Sequence, residues 1–131
     1  GAVVFGSPDK AFASLFMVLS DDSWTKKGQI NGVSHMVIAA RARFEEADQG
    51  GVIYTVSGET FMTDPRKGMG ELEWVSREPV HVSSAEEFSS GLRAMIAHGV
   101  KVYFTDVATL KAVQGDPDST PVLLAHLKPE E

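Results

Sequence analysis

The sequence predicts an α/β fold in which helices pack on a mixed, partly parallel sheet of about five strands. Two observations favour this class. Strand and helix patterns alternate near both ends of the chain, which is typical of parallel strands connected by helices. Short β-rich runs separated by turn residues fill the middle, which indicates antiparallel additions. A ferredoxin-like α+β arrangement is the alternative.

The first element is a predicted strand over residues 2–5 that leads into a helix. Ser7 is a good N-cap residue, and Pro8 suits the first helical position. The helix is expected to end near residues 20–22. Its apolar stripe consists of Phe12, Leu15, Phe16 and Leu19. Backbone N–H groups at such a helix start can bind an anion, but the carboxylate of Asp9 disfavours this, so we favour an ordinary capped helix.

The next two segments are a predicted loop and an ambiguous apolar stretch. Residues 24–32 are predicted to form a loop because they contain the turn signals Gly28 and Asn31-Gly32. Residues 33–47 fit either a helix or a strand, since apolar side chains recur at helical spacing while much of the segment also alternates. The alanine content, the length and a Gly-Gly pair at the end favour the helix.

Short segments fill the middle of the chain. Residues 52–56 are predicted to form a hairpin with residues 60–63, and residues 64–70 a polar loop. Residues 71–76 and 79–82 are further strand candidates. The proline in the second of these indicates an edge strand or a strand start.

The last part of the chain alternates helix and strand. Residues 84–98 are predicted to be a helix, because a capping box opens them and apolar side chains follow at helical spacing. Residues 100–104 form a predicted strand, followed by a short helix that Thr105 or Asp106 caps. Residues 122–127 are predicted to form the last strand.

The composition fits one globular domain spanning residues 1–131. Of the residues, 43% are hydrophobic and 23% are charged, which are ordinary values for such a domain. A chain of about this length buries roughly two thirds of its extended surface, so the fold does not require disulfides or a bound metal for its stability. The lack of cysteine excludes disulfides and thiolate chemistry, and it fits a cytoplasmic location.

The net charge and the hydropathy of the sequence limit the classes of partner that we expect. The net charge is −6, which argues against binding to nucleic acid. No apolar run reaches the roughly 20 residues of a membrane span, and no signal-peptide pattern occurs, so we expect a soluble protein without membrane contact. We also expect a homo-oligomer, because large apolar side chains are predicted to be exposed. They are Trp24, Met62, Met69 and Trp74.

A polar cluster surrounds the turn that follows residue 56. Thr55, Ser57 and Thr60 supply hydroxyl groups, and Glu59 supplies a central carboxylate. Such a cluster can hold a polar ligand, and a partly buried Glu59 can act as a general base. The simpler alternative is a hairpin with a threonine-rich outer face, because threonine favours strands.

Two arginines and a histidine lie in the ambiguous segment. Arg41 or Arg43 can bind a carboxylate or phosphate in a cleft, and His35 is a candidate base. On a helix, Arg41 and Glu45 would form an i,i+4 ion pair, which is usually part of a solvated face. We favour the solvated face.

Asp106 follows a predicted strand and precedes a predicted helix. Open α/β sheets bind ligands at the carboxyl ends of their strands, so Asp106 is a candidate site residue; it is equally an ordinary helix cap. The four histidines lack metal-binding spacing, and no phosphate-loop or nucleophile-elbow motif occurs. We therefore expect neither a metal nor a cofactor.

Two stretches resemble the DsrE/DsrF-like family of sulfur-relay proteins. Residues 7–15 resemble its first strand-to-helix region, and residues 92–108 a later helix–Gly–strand unit centred on residues 99–104. Together they cover roughly a fifth of the chain. The resemblance implies a flavodoxin-like layered fold and homo-oligomers. The sulfur carriers of that family use a cysteine, which this chain lacks, so persulfide chemistry and catalytic residues do not transfer.

Two functions of different classes follow from these observations. The first is a small-molecule-binding or regulatory module that acts as a homo-oligomer, since no catalytic constellation is evident. The alternative is a cofactor-free lyase, isomerase or hydrolase. Its base would be Glu59, Asp106 or His35, and Arg41 or Arg43 would hold an anionic substrate.

Overall fold

The strands of the described residues form three small sheets rather than one sheet of five strands. A computed structural model of the protein describes residues 4–63 and 72–131. The strands are β1 (Val4–Gly6), β2 (Thr25–Ile30), β3 (Val33–Ile38), β4 (Gly51–Val56), β5 (Phe61–Met62), β6 (Trp74–Ser76), β7 (Val82–Phe88) and β8 (Lys101–Phe104). The helices are α1 (Lys10–Ser14), α2 (Arg41–Ala47), α3 (Gly91–Ala97), α4 (Val107–Gly115) and α5 (Thr120–Leu124), with a 3₁₀ turn over Pro117–Ser119.

The central sheet has the strand order β2-β3-β8. β2 and β3 are antiparallel and are joined by Asn31 and Gly32, whose φ angles are 50° and 79°. These two residues tolerate positive φ and form a two-residue hairpin turn, so the turn signal at Asn31-Gly32 is confirmed. The turn signal at Gly28 is wrong, because Gly28 lies within β2. β3 and β8 are parallel, which confirms the partly parallel character of the fold. The other sheets have the orders β1-β6-β5 and β4-β7.

Each face of the central sheet carries its own apolar cluster. Helices α1, α2 and α3 cover one face, where the buried residues include Leu15, Trp24, Met36, Phe44, Met95 and Val102. Helices α4 and α5 cover the other face, where Val37, Tyr103, Leu110 and Leu124 are buried. Burial of one such side chain contributes about 1.5–3 kcal/mol, so both layers hold the sheet in place. The prediction that Trp24 is exposed is wrong, since it is only 5% exposed.

Two predictions for the segment 24–47 are wrong. Most of the predicted loop over residues 24–32 is β2, and the predicted helix over residues 33–47 divides into β3 and α2. The sequence of β2 carries almost no apolar alternation, so its strand character comes from pairing with β3. For residues 33–38 the strand interpretation is the correct one, and β3 is buried from Ser34 to Ile38.

Two predictions in the C-terminal part are also wrong. The predicted helix over residues 84–98 begins only at Gly91, where Ser90 is the N-cap, and β7 occupies its first part. The predicted strand over residues 122–127 is largely replaced by α5, in which Pro121 stands in the first turn. The predicted strand over residues 100–104 and the helix capped by Asp106 are confirmed as β8 and α4.

The first helix and the middle of the chain differ in detail from prediction. Helix α1 ends at Ser14, earlier than expected, and its N-cap is Asp9 rather than Ser7. β4 matches the predicted strand over residues 52–56, but it pairs with β7, whereas β5 pairs with β6. The expected hairpin of neighbouring strands is therefore wrong. The predicted loop over residues 64–70, which includes Met69, lies outside the described residues.

Within residues 4–63 and 72–131, no helix is both long enough and apolar enough to cross a lipid bilayer.

Candidate functional site

His35 lies in β3, the middle strand of the central sheet, and not on a helix as predicted. Its neighbours across the sheet are Gly28 on β2 and Lys101 on β8. Side chains alternate along a strand, so His35 shares a face with Val37, which belongs to the cluster under α4 and α5. The imidazole thus stands on the side of the sheet that these two helices cover.

The imidazole of His35 is buried and has no polar partner. Its exposed fraction is 3%, and neither Nδ1 nor Nε2 has a hydrogen-bond partner among the described residues. Burial lowers the pKa of His35 from 6.5 to about 4, and the positive charge of Lys26 adds to this. The ring is therefore neutral at pH 7, with one nitrogen that can donate a hydrogen bond and one that can accept.

A cavity of about 310 Å³ includes His35 in its wall. Most of the remaining wall is apolar and comprises Ile30, Val33, Pro121, Leu124 and Ala125. Its other described polar residues are Asn31, Lys101 and Tyr103, so the one charged side chain among the described wall residues is a cation. The size is near the lower end of the range for small-molecule sites, which is about 300–1,000 Å³. We call this the His35 cavity.

Two further polar groups are buried on β8 and α5, both of which contribute to the wall of the His35 cavity. Tyr103 is 8% exposed, and burial raises the pKa of its hydroxyl group. Thr120, the residue before Pro121, has a buried hydroxyl group without a hydrogen-bond partner among the described residues. An unpaired buried polar group costs about 1–3 kcal/mol, so unpaired atoms on two neighbouring elements mark this region as unusual.

A larger groove of about 1050 Å³ runs beside the outer edge of β2. Lys27 lies in it, donates a hydrogen bond to Ser20 Oγ at 3.1 Å, and stands 5.3 Å from the centre of the Phe16 ring. Burial lowers the pKa of Lys27, and the carboxylate of Asp22 partly offsets this. The wall of the groove mixes lysines with acidic side chains, so its charge favours no one class of ligand, whereas the charged side chain among the described residues of the His35 cavity wall is a lysine.

The two predicted anion-binding arginines are engaged within the protein. Arg41 forms ion pairs with Glu45 at 3.5 Å and with Glu130 at 2.9 Å, and its guanidinium lies 3.9 Å from the centre of the Phe104 ring. Hydrogen bonding to Glu130 raises the pKa of Arg41. The predicted i,i+4 pair is therefore present. Arg43 lies 4.8 Å from the centre of the Trp24 ring.

The predicted polar cluster around Glu59 lies on the surface. Glu59 is exposed, and its backbone N–H donates to Ser57 Oγ at 3.4 Å. Thr55 is exposed, whereas the hydroxyl of Thr60 forms a hydrogen bond of 2.6 Å with that of Ser76. None of the four predicted cluster residues lines the His35 cavity or the groove beside β2.

Asp106 caps helix α4 by accepting a hydrogen bond from the backbone N–H of Thr109 at 2.7 Å. This bond lowers the pKa of its carboxyl group. No hydrogen bond or ion pair joins Asp106, Glu59 and His35 in the part of the chain that the structure describes. In the same residues, no three His, Cys, Asp or Glu side chains are grouped so as to hold a metal ion.

Sequence patterns did not reveal Lys101, Tyr103 or Gly28 as neighbours of His35. Lys101 and Tyr103 stand in a strand that was predicted, but their position depends on the parallel pairing of β3 with β8, more than 60 residues apart in the chain. Gly28 looked like a turn residue. No local signal identifies a cross-strand neighbour of this kind.

No protein-family model matches the chain, and neither a curated protein nor a solved structure is significantly similar to it. The resemblance to the DsrE/DsrF-like family therefore stays a prediction.

Proposed function

We propose that this protein is a non-catalytic small-molecule-binding module that holds a compact organic anion in the His35 cavity. The observation that carries the proposal is the buried imidazole of His35, whose two nitrogens lack partners among the described residues. Native proteins pair nearly all their buried polar atoms, with a ligand or a water where the chain itself offers none. Both nitrogens are themselves buried, so a ligand in the cavity satisfies them when the side chains that cover the ring move aside.

The wall of the cavity favours an anion with an apolar body. Lys101 contributes a positive charge, and no described wall residue is acidic. Lys26, whose charge acts on His35, lines the groove beside β2 instead. A carboxylate or a similar group can accept hydrogen bonds from the neutral imidazole and from an ammonium group. Ile30, Val33 and Leu124 then offer apolar contact to the rest of a small ligand.

The geometry gives less support to the enzymatic alternative. A general base must stand within hydrogen-bond reach of a substrate that other groups position. His35 has a cavity beside it, but Glu59 and Asp106 do not line that cavity, and Arg41 is paired with two carboxylates. A binding role requires none of these residues to converge.

Thermal unfolding with a panel of small carboxylates, phosphates and sulfonates tests the proposal. A ligand at 100 times its dissociation constant raises the unfolding free energy by about 2.7 kcal/mol. Two variants localise the effect. His35→Leu removes the imidazole, and Lys101→Met removes the positive charge of the wall; both should abolish the stabilisation.

Lys111→Met is the matched control for the loss of charge, because Lys111 is an exposed lysine on α4 that does not line the cavity. Its stabilisation by the ligand should equal that of the wild type. The proposal is wrong if no anion stabilises the wild type, or if the stabilisation persists in His35→Leu and Lys101→Met. If no anion stabilises the wild type, an ordered water rather than a ligand would satisfy the imidazole.

A further inference from the structure

β4 and β7 form a two-stranded sheet that lies outside the central sheet. Six of the seven residues of β7 are exposed, and so are Tyr54 and Thr55 in β4. One end of this sheet packs against the rest of the chain, since Met17 lies beside Gly51 and the Phe88 ring lies 5.7 Å from the His98 ring. A two-stranded sheet gains further stability from a third strand. Among the described residues, neither strand pairs with another strand on its outer side. We call this sheet the β4–β7 arm.

The outer edge of β4 lacks the charges that protect the other edges. Of the described edge strands with four or more residues, β2 contains Lys26 and Lys27, β7 contains Glu86 and Glu87, and β8 contains Lys101. Charged side chains on an edge strand oppose pairing with a further strand. β4 has the sequence Gly-Val-Ile-Tyr-Thr-Val, which carries no charge and is rich in strand-forming residues.

The backbone of β4 is also oriented for pairing. The carbonyl oxygen of Thr55 accepts a hydrogen bond from Ser83 Oγ at 3.1 Å and therefore points toward β7. The pairing with β7 is regular from Gly51 to Thr55 and shifts register only after Thr55. Backbone groups alternate between the two sides of an antiparallel strand. Val52 and Tyr54 therefore present their N–H and C=O groups to the outer side. The side chain of Tyr54 is 59% exposed.

We propose that β4 pairs antiparallel with β4 of a second copy of this chain, which joins two arms into one four-stranded sheet. A pair centred on Ile53 sets Val52 opposite Tyr54 of the second copy, and Ile53 opposite itself. Cross-strand pairs of aromatic and β-branched residues contribute about 0.2–1 kcal/mol each. No charged side chain of β4 opposes another, so the strand is complementary to itself. This inference is independent of the ligand in the His35 cavity.

Size-exclusion chromatography with light scattering tests the pairing. The wild type should show twice the chain mass of 14.1 kDa. Tyr54→Lys places a charge on β4, where it would face the uncharged β4 of the second copy. This variant should therefore show the single-chain mass. Because each chain carries a net charge of −6, added salt should favour the dimer of the wild type.

Val82→Lys is the matched control. Val82 is 55% exposed on β7, so the substitution adds the same charge to the arm without touching the outer edge of β4. It should keep the doubled mass. A wild type of single mass at every concentration, or a doubled mass in Tyr54→Lys, would overturn the proposal.

Hydrogen exchange of the wild type gives a second readout that needs no variant. The outward amides of Val52 and Tyr54 should exchange more slowly as the protein concentration rises, in proportion to the falling fraction of monomer. Exchange of both amides that does not depend on concentration would contradict pairing through β4, even if the protein dimerises elsewhere.

Discussion

His35 and Gly28 face each other across β2 and β3, and the imidazole occupies the space that a side chain at position 28 would fill. A Cβ atom added at Gly28 would stand 3.0 Å from both Cε1 and Nε2 of the ring. This is closer than ordinary van der Waals contact, so the ring would have to move. Because residue 28 is a glycine, the imidazole has room to lie against β2.

Gly28→Ala should destabilise the protein and weaken ligand binding. Overpacking of a buried site typically costs about 1–3 kcal/mol, because neighbouring side chains leave their preferred rotamers. Urea unfolding measures the loss. Gly58→Ala is the control, because nothing lies within 4 Å of a Cβ atom at that position and its φ is not positive. Equal stabilities of the two variants would mean that the His35 ring moves without cost.

Acidification should destabilise the protein through His35. The pKa of His35 is about 4 in the folded protein, below the ordinary value of 6.5, so between these values the unfolded chain binds more protons. The contribution of His35 to the unfolding free energy is therefore constant above about pH 6.5 and falls as the pH drops toward 4. The shift corresponds to about 3 kcal/mol.

Unfolding free energies of the wild type and His35→Leu at several pH values check this. Carboxylates titrate near the lower end of the range in both proteins, so the difference between the two curves isolates His35. His126→Gln, which removes an exposed histidine, should follow the wild-type curve. Parallel curves for the wild type and His35→Leu would show that His35 ionises equally in the folded and unfolded chain.

Asp48 connects the end of α2 to the start of α3. Its carboxylate accepts hydrogen bonds from the backbone N–H groups of Gly50, Gly91 and Leu92 and from Ser90 Oγ. Burial alone would raise the pKa of Asp48, but these hydrogen bonds outweigh burial and lower it. Asp48→Ala should cost about 2–3 kcal/mol, because it leaves several donors unpaired.

Urea unfolding at pH 7 measures the effect of Asp48→Ala. The difference from the wild type should shrink below pH 3.8, the ordinary pKa of aspartate, as Asp48 itself becomes protonated. Asp116→Ala is the control, since the side chain of Asp116 caps neither α4 nor the 3₁₀ turn with a hydrogen bond. If Asp48→Ala lowers the unfolding free energy no more than Asp116→Ala does, the hydrogen bonds of Asp48 do not contribute to stability.

The sequence predicts the elements whose signals are local. Asp106 could be recognised as a helix cap and residues 100–104 as a strand, because capping and β-branched runs depend on neighbouring residues alone. β2 could not be recognised, since its polar residues become a strand only by pairing with β3. Helical spacing over residues 84–98 was misleading because Phe88 belongs to β7, which pairing with β4 extends.

The candidate site was predictable only in part. The chemistry of histidine makes His35 a candidate, but its burial follows from the two helices that pack on β3, and no short pattern encodes that packing. The sequence predicts Arg41 as an anion-binding group, yet Arg41 pairs with Glu130, which lies 89 positions away in the chain. Contacts of this range depend on the complete topology.

The side-chain ¹⁵N resonances of His35 test the central claim most directly. They report the ionisation and the hydrogen bonding of each ring nitrogen, with and without the anion that stabilises the protein most. At pH 7 a neutral ring is expected, and both nitrogen shifts should move when the anion binds, while those of exposed His126 stay unchanged. A protonated ring, or shifts of His35 that no anion alters, would contradict the account.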